Sequence, residues 1–422
     1  MKSLSPRTLT DQTVRIPGSK SISHRMMICA ALAEGKSVIH NALKSEDLSL
    51  TCRTLSYMGA QIDEVSEAVT EVTGFAGKPH PYADPIYLGN SGTSMRLLAG
   101  IAALGQTPYT LTGDERMCQR PMNELLDALS RIEISAYSQN EAGTPPVVIQ
   151  GGNRKGGSTV LDCSKSSQYL SALLMAGALF DQGLEIELTG PPVSVPYINL
   201  TLDVMKQYNV SAERISDTRY RVAGNQSYES GNRIVEPDLS NAGYFWAAGA
   251  VTGRKIGVDN IQSDSLQGDL NQINILEQMG CRVERDGQVI SVRGGDLKGV
   301  DVDMSDTPDA VPAIAVTAAF AKGTTRIRNI AHLRVKECDR IDAVCTQLEK
   351  MGIRVAQGDD WMEVTGGTPK GAFISTFNDH RIAMSFSVAG LRVAGMEIEN
   401  PSCVQKSFPT FWEVYDSMKE AE

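Results

Sequence analysis

Several common signatures are missing from this chain. No two of its eight cysteines form Cys-x-x-Cys, and its five histidines include no His-x-x-x-His or mixed His/Cys ligand spacing. A zinc site, structural or catalytic, is therefore not expected, nor is a thioredoxin-like redox pair. Cysteines scattered through a chain of this size read as reduced thiols, so a cytoplasmic location is expected. There is no excess of positive charge. The formal net charge is −10, which argues against a broadly basic nucleic-acid surface. Any anionic ligand must be held by a local basic cluster. The longest apolar stretches, near Ala310–Ala321 and Leu170–Phe180, are too short to cross a bilayer. Met1–Thr10 has no signal-peptide core, and motif residues begin by Pro17, so a transit peptide is not expected. Gly18-Ser19-Lys20-Ser21 lacks the spacing of a nucleotide-binding P-loop, in which glycine directly precedes lysine, because Ser19 separates the two here.

A repeat stands out. Six times a polar cluster leads into an apolar run, a closing glycine and a short strand. The runs are Ser21–Gly35, Thr93–Gly105, Ser167–Gly183, Asn241–Gly253, Asp309–Gly323 and Asp379–Gly395. Their spacing is roughly 70–78 residues, which suits a duplicated subdomain. A second signature interleaves with the first. Leu55-x-x-Met58-Gly59, Leu276-x-x-Met279-Gly280 and Leu348-x-x-Met351-Gly352 each precede alternating, strand-like sequence. Each unit thus predicts two helices and several strands.

The sixth copy ends with a helix at Phe411–Met418 before its strands arrive. A strand at Val14–Ile16, with Leu4–Thr10 before it, is expected to complete it from the other chain end. This places 1–16 with 234–422 in one domain of three units, and 17–233 in the other as a continuous insert. The polar Gly224–Gly231 stretch reads as the linker. Two crossings, near 16 and 234, predict a hinge with a cleft between the domains.

The chemistry-bearing residues crowd at the helix starts. There, free N–H groups and a positive dipole end favour anions. Lys20, Ser21 and Arg25 open the first helix. Asn90-Ser91-Gly92-Thr93-Ser94 opens the second, with Thr93 and Ser94 as capping groups, Arg96 inside it and Arg120 beyond it. Ser166-Ser167-Gln168 opens the third, followed by Ser194 and Tyr197. In Arg334–Arg340, Glu337 shares a helical spacing with Ile341, Val344 and Leu348, so the carboxylate is expected on the inward face beside Lys336 and Arg340. A carboxylate so placed is a candidate acid–base group. Asp309, Asp379-His380-Arg381 and Lys406 complete the set.

Pro17–Arg25, Leu88–Arg96, Arg334–Arg340, Asp379–Arg381 and Lys406–Pro409 resemble the signatures of the 5-enolpyruvylshikimate-3-phosphate synthase family, in order and over essentially the whole chain. The resemblance implies an α/β fold of two similar domains. Each would hold three βαβαββ units arranged as an inside-out α/β barrel, with the active site in the interdomain cleft. It implies transfer of the carboxyvinyl group of phosphoenolpyruvate to the 5-hydroxyl of shikimate 3-phosphate, with no metal or organic cofactor. Lys20, Asp309 and Glu337 would be catalytic. Shikimate 3-phosphate would be bound by Lys20, Ser21, Arg25, Ser166, Ser167, Gln168, Ser194, Tyr197, Asp309, His332 and Lys336. Phosphoenolpyruvate would be bound by Lys20, Asn90, Gly92, Thr93, Arg120, Gln168, Arg340, His380, Arg381 and Lys406. A monomer inhibited by glyphosate is expected.

The chain departs from the family pattern in three places. His332 stands where bacterial members often have Asn, Leu97 where many have Pro, and Ser91 where Ala is frequent. Two other readings fit parts of the pattern. One is the related transferase acting on UDP-N-acetylglucosamine, against which Ser21 and Glu115 speak. The other is a noncatalytic phosphometabolite-binding protein, against which both acids speak.

Overall fold

The apolar runs fold as helices covered on every face. The first three lie between Gly18 and Val235, among α1 (Lys20–Leu32), α2 (Glu46–Tyr57), α3 (Gly92–Ala102), α4 (Asn123–Arg131), α5 (Gln168–Gly177) and α6 (Val195–Gln207). Every residue of α3 is buried, as is all of α1 except Ser21. An all-apolar helix can only be stable with its whole circumference packed, so α1, α3 and α5 form the interior. The intervening α2, α4 and α6 are amphipathic and bury one face; α4 does so with Leu125, Leu126, Ala128 and Leu129.

The second unit joins Met1–Pro17 to the residues from Glu236 onward. The structure, a computed structural model, describes residues 1–420. This unit repeats the plan with α7 (Leu239–Thr252), α8 (Gln272–Gln278), α9 (Val311–Ala318), α10 (Arg340–Lys350), α11 (His380–Gly390) and α12 (Phe411–Asp416). Here α7, α9 and α11 form the interior. Gly253 closes α7 in the left-handed conformation at φ 72° and donates its N–H to the Gly249 carbonyl at 3.0 Å. Glycine adopts that geometry without a side-chain clash.

The sheets follow one scheme. A central strand pairs parallel with the strand before the inner helix and antiparallel with the second strand of a hairpin. Pro108–Thr112, for example, pairs parallel with Ile86–Tyr87 and antiparallel with Val147–Gln150. The chain crossings supply the missing strands. In the first unit, Asn232–Ile234 pairs parallel with Lys36–His40. In the second, Gln12–Val14 pairs parallel with Ile256–Val258, and Lys2–Leu4 pairs antiparallel with Met396–Ile398.

Two expectations change here. The strand near Val14 covers Gln12–Val14 and serves the fourth sheet, while Lys2–Leu4 completes the sixth. Leu4 is the apolar residue buried there, 6% exposed and against the Gly390 backbone. The Gly224–Gly231 stretch is no linker, because it lies within the unit ending at Val235. Tyr228 pins it by donating its buried hydroxyl to the Met175 carbonyl at 2.8 Å.

The α3–α5 contact depends on a missing side chain. A Cβ at Gly100 would lie 2.6 Å from the Ala172 carbonyl oxygen. Backbone cannot yield as a flexible side chain can, so Gly100→Val must part the helices. We expect it to lower the melting temperature by about 5 °C or more. A melt unchanged from wild type would show that the two helices separate at no cost.

Candidate active site

Polar residues gather at the starts of the inner helices, inside an otherwise apolar interior. In the first unit, Lys20 is the first residue of α1 and only 8% exposed. Its ammonium lies 3.0 Å from the Asp47 carboxylate, which is itself buried in the first turn of α2. Asp47 escaped the sequence reading. In the sequence it looks like an ordinary acidic first turn behind the Ser45 cap, and nothing there signals burial.

At α3 the cap is Ser91, whose hydroxyl accepts from the Ser94 N–H. Thr93 and Ser94, expected to cap, lie inside the helix instead. Thr93 is free for another bond: Gln168 donates its amide to the Thr93 hydroxyl at 3.0 Å and accepts from Arg96 at 3.0 Å. Arg120 donates to both the backbone and the side-chain oxygen of Asn90, at 3.1 and 3.0 Å. A Cβ at Gly92 would lie 2.6 Å from the Arg120 Nη2. Glycine at 92 thus lets the guanidinium sit against the start of α3.

Ser166 and Ser167 are buried at the start of α5, and the Ser166 hydroxyl accepts from the Gln168 N–H at 3.2 Å. Ser194 precedes α6 at φ 56°, a left-handed conformation uncommon for serine. Arg25 behaves as a brace. Its guanidinium, 1% exposed, donates to Thr201 at 2.7 Å, to Ser171 at 3.3 Å, and to the Ser21 and Tyr197 carbonyls at 2.9 and 3.1 Å. Burial lowers its pKa to about 10, which still leaves it charged at neutral pH.

The second unit centres on Arg340, only 2% exposed. Its Nε donates to Asp379 at 2.7 Å, Nη1 to Asp309 at 2.8 Å and Nη2 to Glu337 at 2.7 Å. Three carboxylates outweigh the burial penalty and raise its pKa well above the usual value. Arg381 donates to the other Asp309 oxygen at 2.6 Å and to the Tyr244 hydroxyl at 3.1 Å. Asp309 therefore bridges two guanidiniums. The turn before Asp379 is strained, with Phe377 and Asn378 at φ 52° and 55°. Lys406 is buried at the end of the 3₁₀ turn Pro401–Lys406, and His380 is fully buried as the first residue of α11.

Glu337 differs from its expected placement. It lies before α10 rather than on its inner face. Asp339 caps that helix by accepting from the Asp342 N–H, so the helix begins at Arg340. Glu337 is nevertheless 9% exposed and reaches Arg340 from the loop. His332 lies in the 3₁₀ turn Ala331–Val335. Burial, then the nearby Lys336 charge, pushes its pKa down to about 3, so the imidazole is neutral at physiological pH. Its Nε2 has no hydrogen-bond partner among the described residues.

Chemically, the first set offers an ammonium, a guanidinium and hydroxyls at helix starts. The second offers two guanidiniums held by three carboxylates. Both suit anionic groups, and the second adds proton carriers. No cluster suited to a metal ion occurs among the described residues.

Comparisons with known proteins agree with this chemistry. Residues 5–415 match the family model for EPSP synthase (3-phosphoshikimate 1-carboxyvinyltransferase). The chain is 41% identical over 423 residues to the 3-phosphoshikimate 1-carboxyvinyltransferase of Syntrophobacter fumaroxidans, covering 99% of both chains. EPSP synthase from Acinetobacter baumannii superimposes with a TM-score of 0.82 at 30% identity, over 99% of this chain and 98% of that one. The enolpyruvyl transferase NikO from Streptomyces tendae shares the fold, with a TM-score of 0.79 at 18% identity over 99% of this chain and 96% of that one.

The buried imidazole gives a pH prediction. The folded chain refuses a proton that His332 accepts when unfolded, so its stabilising contribution is present above about pH 6.5. It is lost as pH falls toward about 3. In NMR, the His332 ring signals should stay fixed between pH 5 and 8. His332→Asn should lower the acid sensitivity of the melting temperature. A ring that titrates near pH 6.5 would refute the assignment.

Proposed function

The chain belongs to the EPSP synthase family, and from that premise we propose that it transfers the carboxyvinyl group of phosphoenolpyruvate to the 5-hydroxyl of shikimate 3-phosphate. In this reaction the enol methylene gains a proton and the hydroxyl oxygen bonds to the adjacent carbon. The hydroxyl proton leaves. Loss of phosphate and of a methyl proton then restores the vinyl group.

The observation that carries this reading is the Arg340 cluster. One guanidinium there holds both Asp309 and Glu337, and Arg381 shares Asp309. An anion-binding pair and two proton carriers thus occupy a single hydrogen-bonded set. The carboxylate and phosphate of phosphoenolpyruvate would take guanidinium N–H groups now engaged by protein carboxylates. That exchange loosens Asp309 and Glu337 for proton transfer.

Lys20 supplies an ammonium with a long reach, released from Asp47 toward the enol phosphate. Lys336 and Lys406 add local positive charge. The neutral Nε2 of His332 can hydrogen-bond a substrate hydroxyl. Ser166, Ser167 and Ser194 offer hydroxyls to the phosphate of shikimate 3-phosphate. The working unit proposed is a monomer. Eight free thiols accord with a cytoplasmic setting.

The direct test is phosphate release from phosphoenolpyruvate with shikimate 3-phosphate as acceptor, against UDP-N-acetylglucosamine. Release should require the former. Turnover with the sugar nucleotide alone would overturn the assignment.

Two variants test the roles. Glu337→Gln keeps size and hydrogen bonding but cannot carry a proton. We expect turnover to fall by about a hundredfold or more while calorimetry finds shikimate 3-phosphate still bound. Lost binding with normal turnover would make Glu337 a structural partner of Arg340.

Gly92→Ala introduces a methyl group against Arg120. The guanidinium must shift, narrowing the space beside the bound anion. Glyphosate is longer than phosphoenolpyruvate and should lose more affinity than the substrate. Steady-state inhibition measures both, and equal losses would defeat the steric argument.

A further inference from the structure

Beneath the Lys20–Asp47 pair runs a buried chain of hydrogen bonds. His24 lies one turn after Lys20 on α1, and Thr51 one turn after Asp47 on α2, so each pair shares a helix face. The His24 Nδ1 is 2.8 Å from the Thr51 hydroxyl. That hydroxyl is 2.8 Å from Ser94 on α3, and Ser94 is 2.7 Å from Ser91, the α3 cap. All four side chains are 0% exposed.

One assignment of the protons satisfies every bond of the chain. Each hydroxyl has one proton to donate. Ser94 donates its proton to the Asp47 carbonyl at 3.2 Å. It must then accept from both Thr51 and Ser91. Thr51, its proton spent, then accepts from His24, which in this assignment carries hydrogen on Nδ1. Ser91 in turn accepts the Ser94 N–H. The bonds form one consistent set joining the starts of three helices.

We propose that His24, Thr51, Ser94 and Ser91 are positioning residues that fix Lys20, Asp47 and the Gly92 turn relative to one another, and so set the fit of phosphoenolpyruvate. The inference rests on the function proposed above and goes beyond it, since none of these four groups is assigned to touch substrate. It gives Ser91 a purpose at a position where the family often carries Ala. Without the Ser91 hydroxyl, α3 loses its cap and Ser94 loses a donor. The serines at 166, 167 and 194 lie outside the chain. Asn90, Gly92 and Thr93, beside the Ser91 cap, are expected on phosphoenolpyruvate alone, while Lys20 is expected to touch both substrates, so loss of the chain should act mainly on phosphoenolpyruvate.

Thr51→Val removes the central hydroxyl at nearly constant shape, and Thr51→Ser retains it. We expect Thr51→Val to raise KM for phosphoenolpyruvate by roughly five- to tenfold, with KM for shikimate 3-phosphate within about twofold of wild type. Thr51→Ser should restore wild-type values. Adding Ser94→Ala to Thr51→Val should cost little more, because one chain is broken once.

Equal rises in both KM values, or a lowered melting temperature with KM unchanged, would reduce the chain to a structural brace. Failure of Thr51→Ser to restore KM would overturn the proposal. Should Thr51→Val not fold, Ser91→Ala carries the same test, with an expected rise of about two- to threefold. If wild type releases no phosphate, the assigned reaction fails on its own. The rise in melting temperature caused by phosphoenolpyruvate, diminished in Thr51→Val, then still reads the inference. No such rise in wild type would overturn both.

Discussion

A helix enclosed on every side must still satisfy the N–H groups of its first turn. Much of this structure follows from that constraint. Six interior helices carry apolar residues on all faces, so each start must supply its own polar partners. Ser91, Asp238 and Asp379 do so as side-chain caps of α3, α7 and α11, each accepting a backbone N–H of its helix, whereas the N-cap residues of α1, α5 and α9 make no such bond. The same starts carry the positive end of the helix dipole. A requirement of folding thereby places anion-seeking backbone and polar side chains together, and the candidate chemistry is built from them.

Buried charge imposes the second condition. A guanidinium as enclosed as Arg340 is tolerated because carboxylates surround it, and removing one would leave an uncompensated charge. The protein thus holds its cations with internal anions, which in the proposed reaction a substrate anion would replace. Lys20 and Asp47 follow the same logic in the other unit. Arg25 stands apart, with four of its five N–H groups bonded to hydroxyls and carbonyls, among them Thr201 and Tyr197 on α6.

Local pattern was a good guide wherever the physics is local. The run Ser21–Gly35 foretold α1 (Lys20–Leu32), and Asp379–Gly395 foretold α11 (His380–Gly390), because a long apolar stretch between a polar cap and glycine has few other uses. The reading faltered where a partner lies far away in sequence. Ser94 looked like a cap beside Thr93, but Ser91 takes that place and Ser94 joins Thr51 on another helix. Glu337 fitted a helical face by spacing, yet the Asp339 cap starts the helix three residues later.

By itself, then, the sequence determined the repeating α/β plan, the interior helices and the residue types gathered at their starts. These follow from hydrophobic period, capping and chain punctuation, which act within a few residues. Only the tertiary structure decided that Lys2–Leu4 closes the sixth sheet while Gln12–Val14 enters the fourth. It also decided that Asp47 neutralises Lys20, and that three carboxylates 3 to 39 residues away converge on Arg340. Strand pairing and buried ion pairs are settled by which surfaces meet and which charges lose water. Neither quantity is written in any short stretch of sequence.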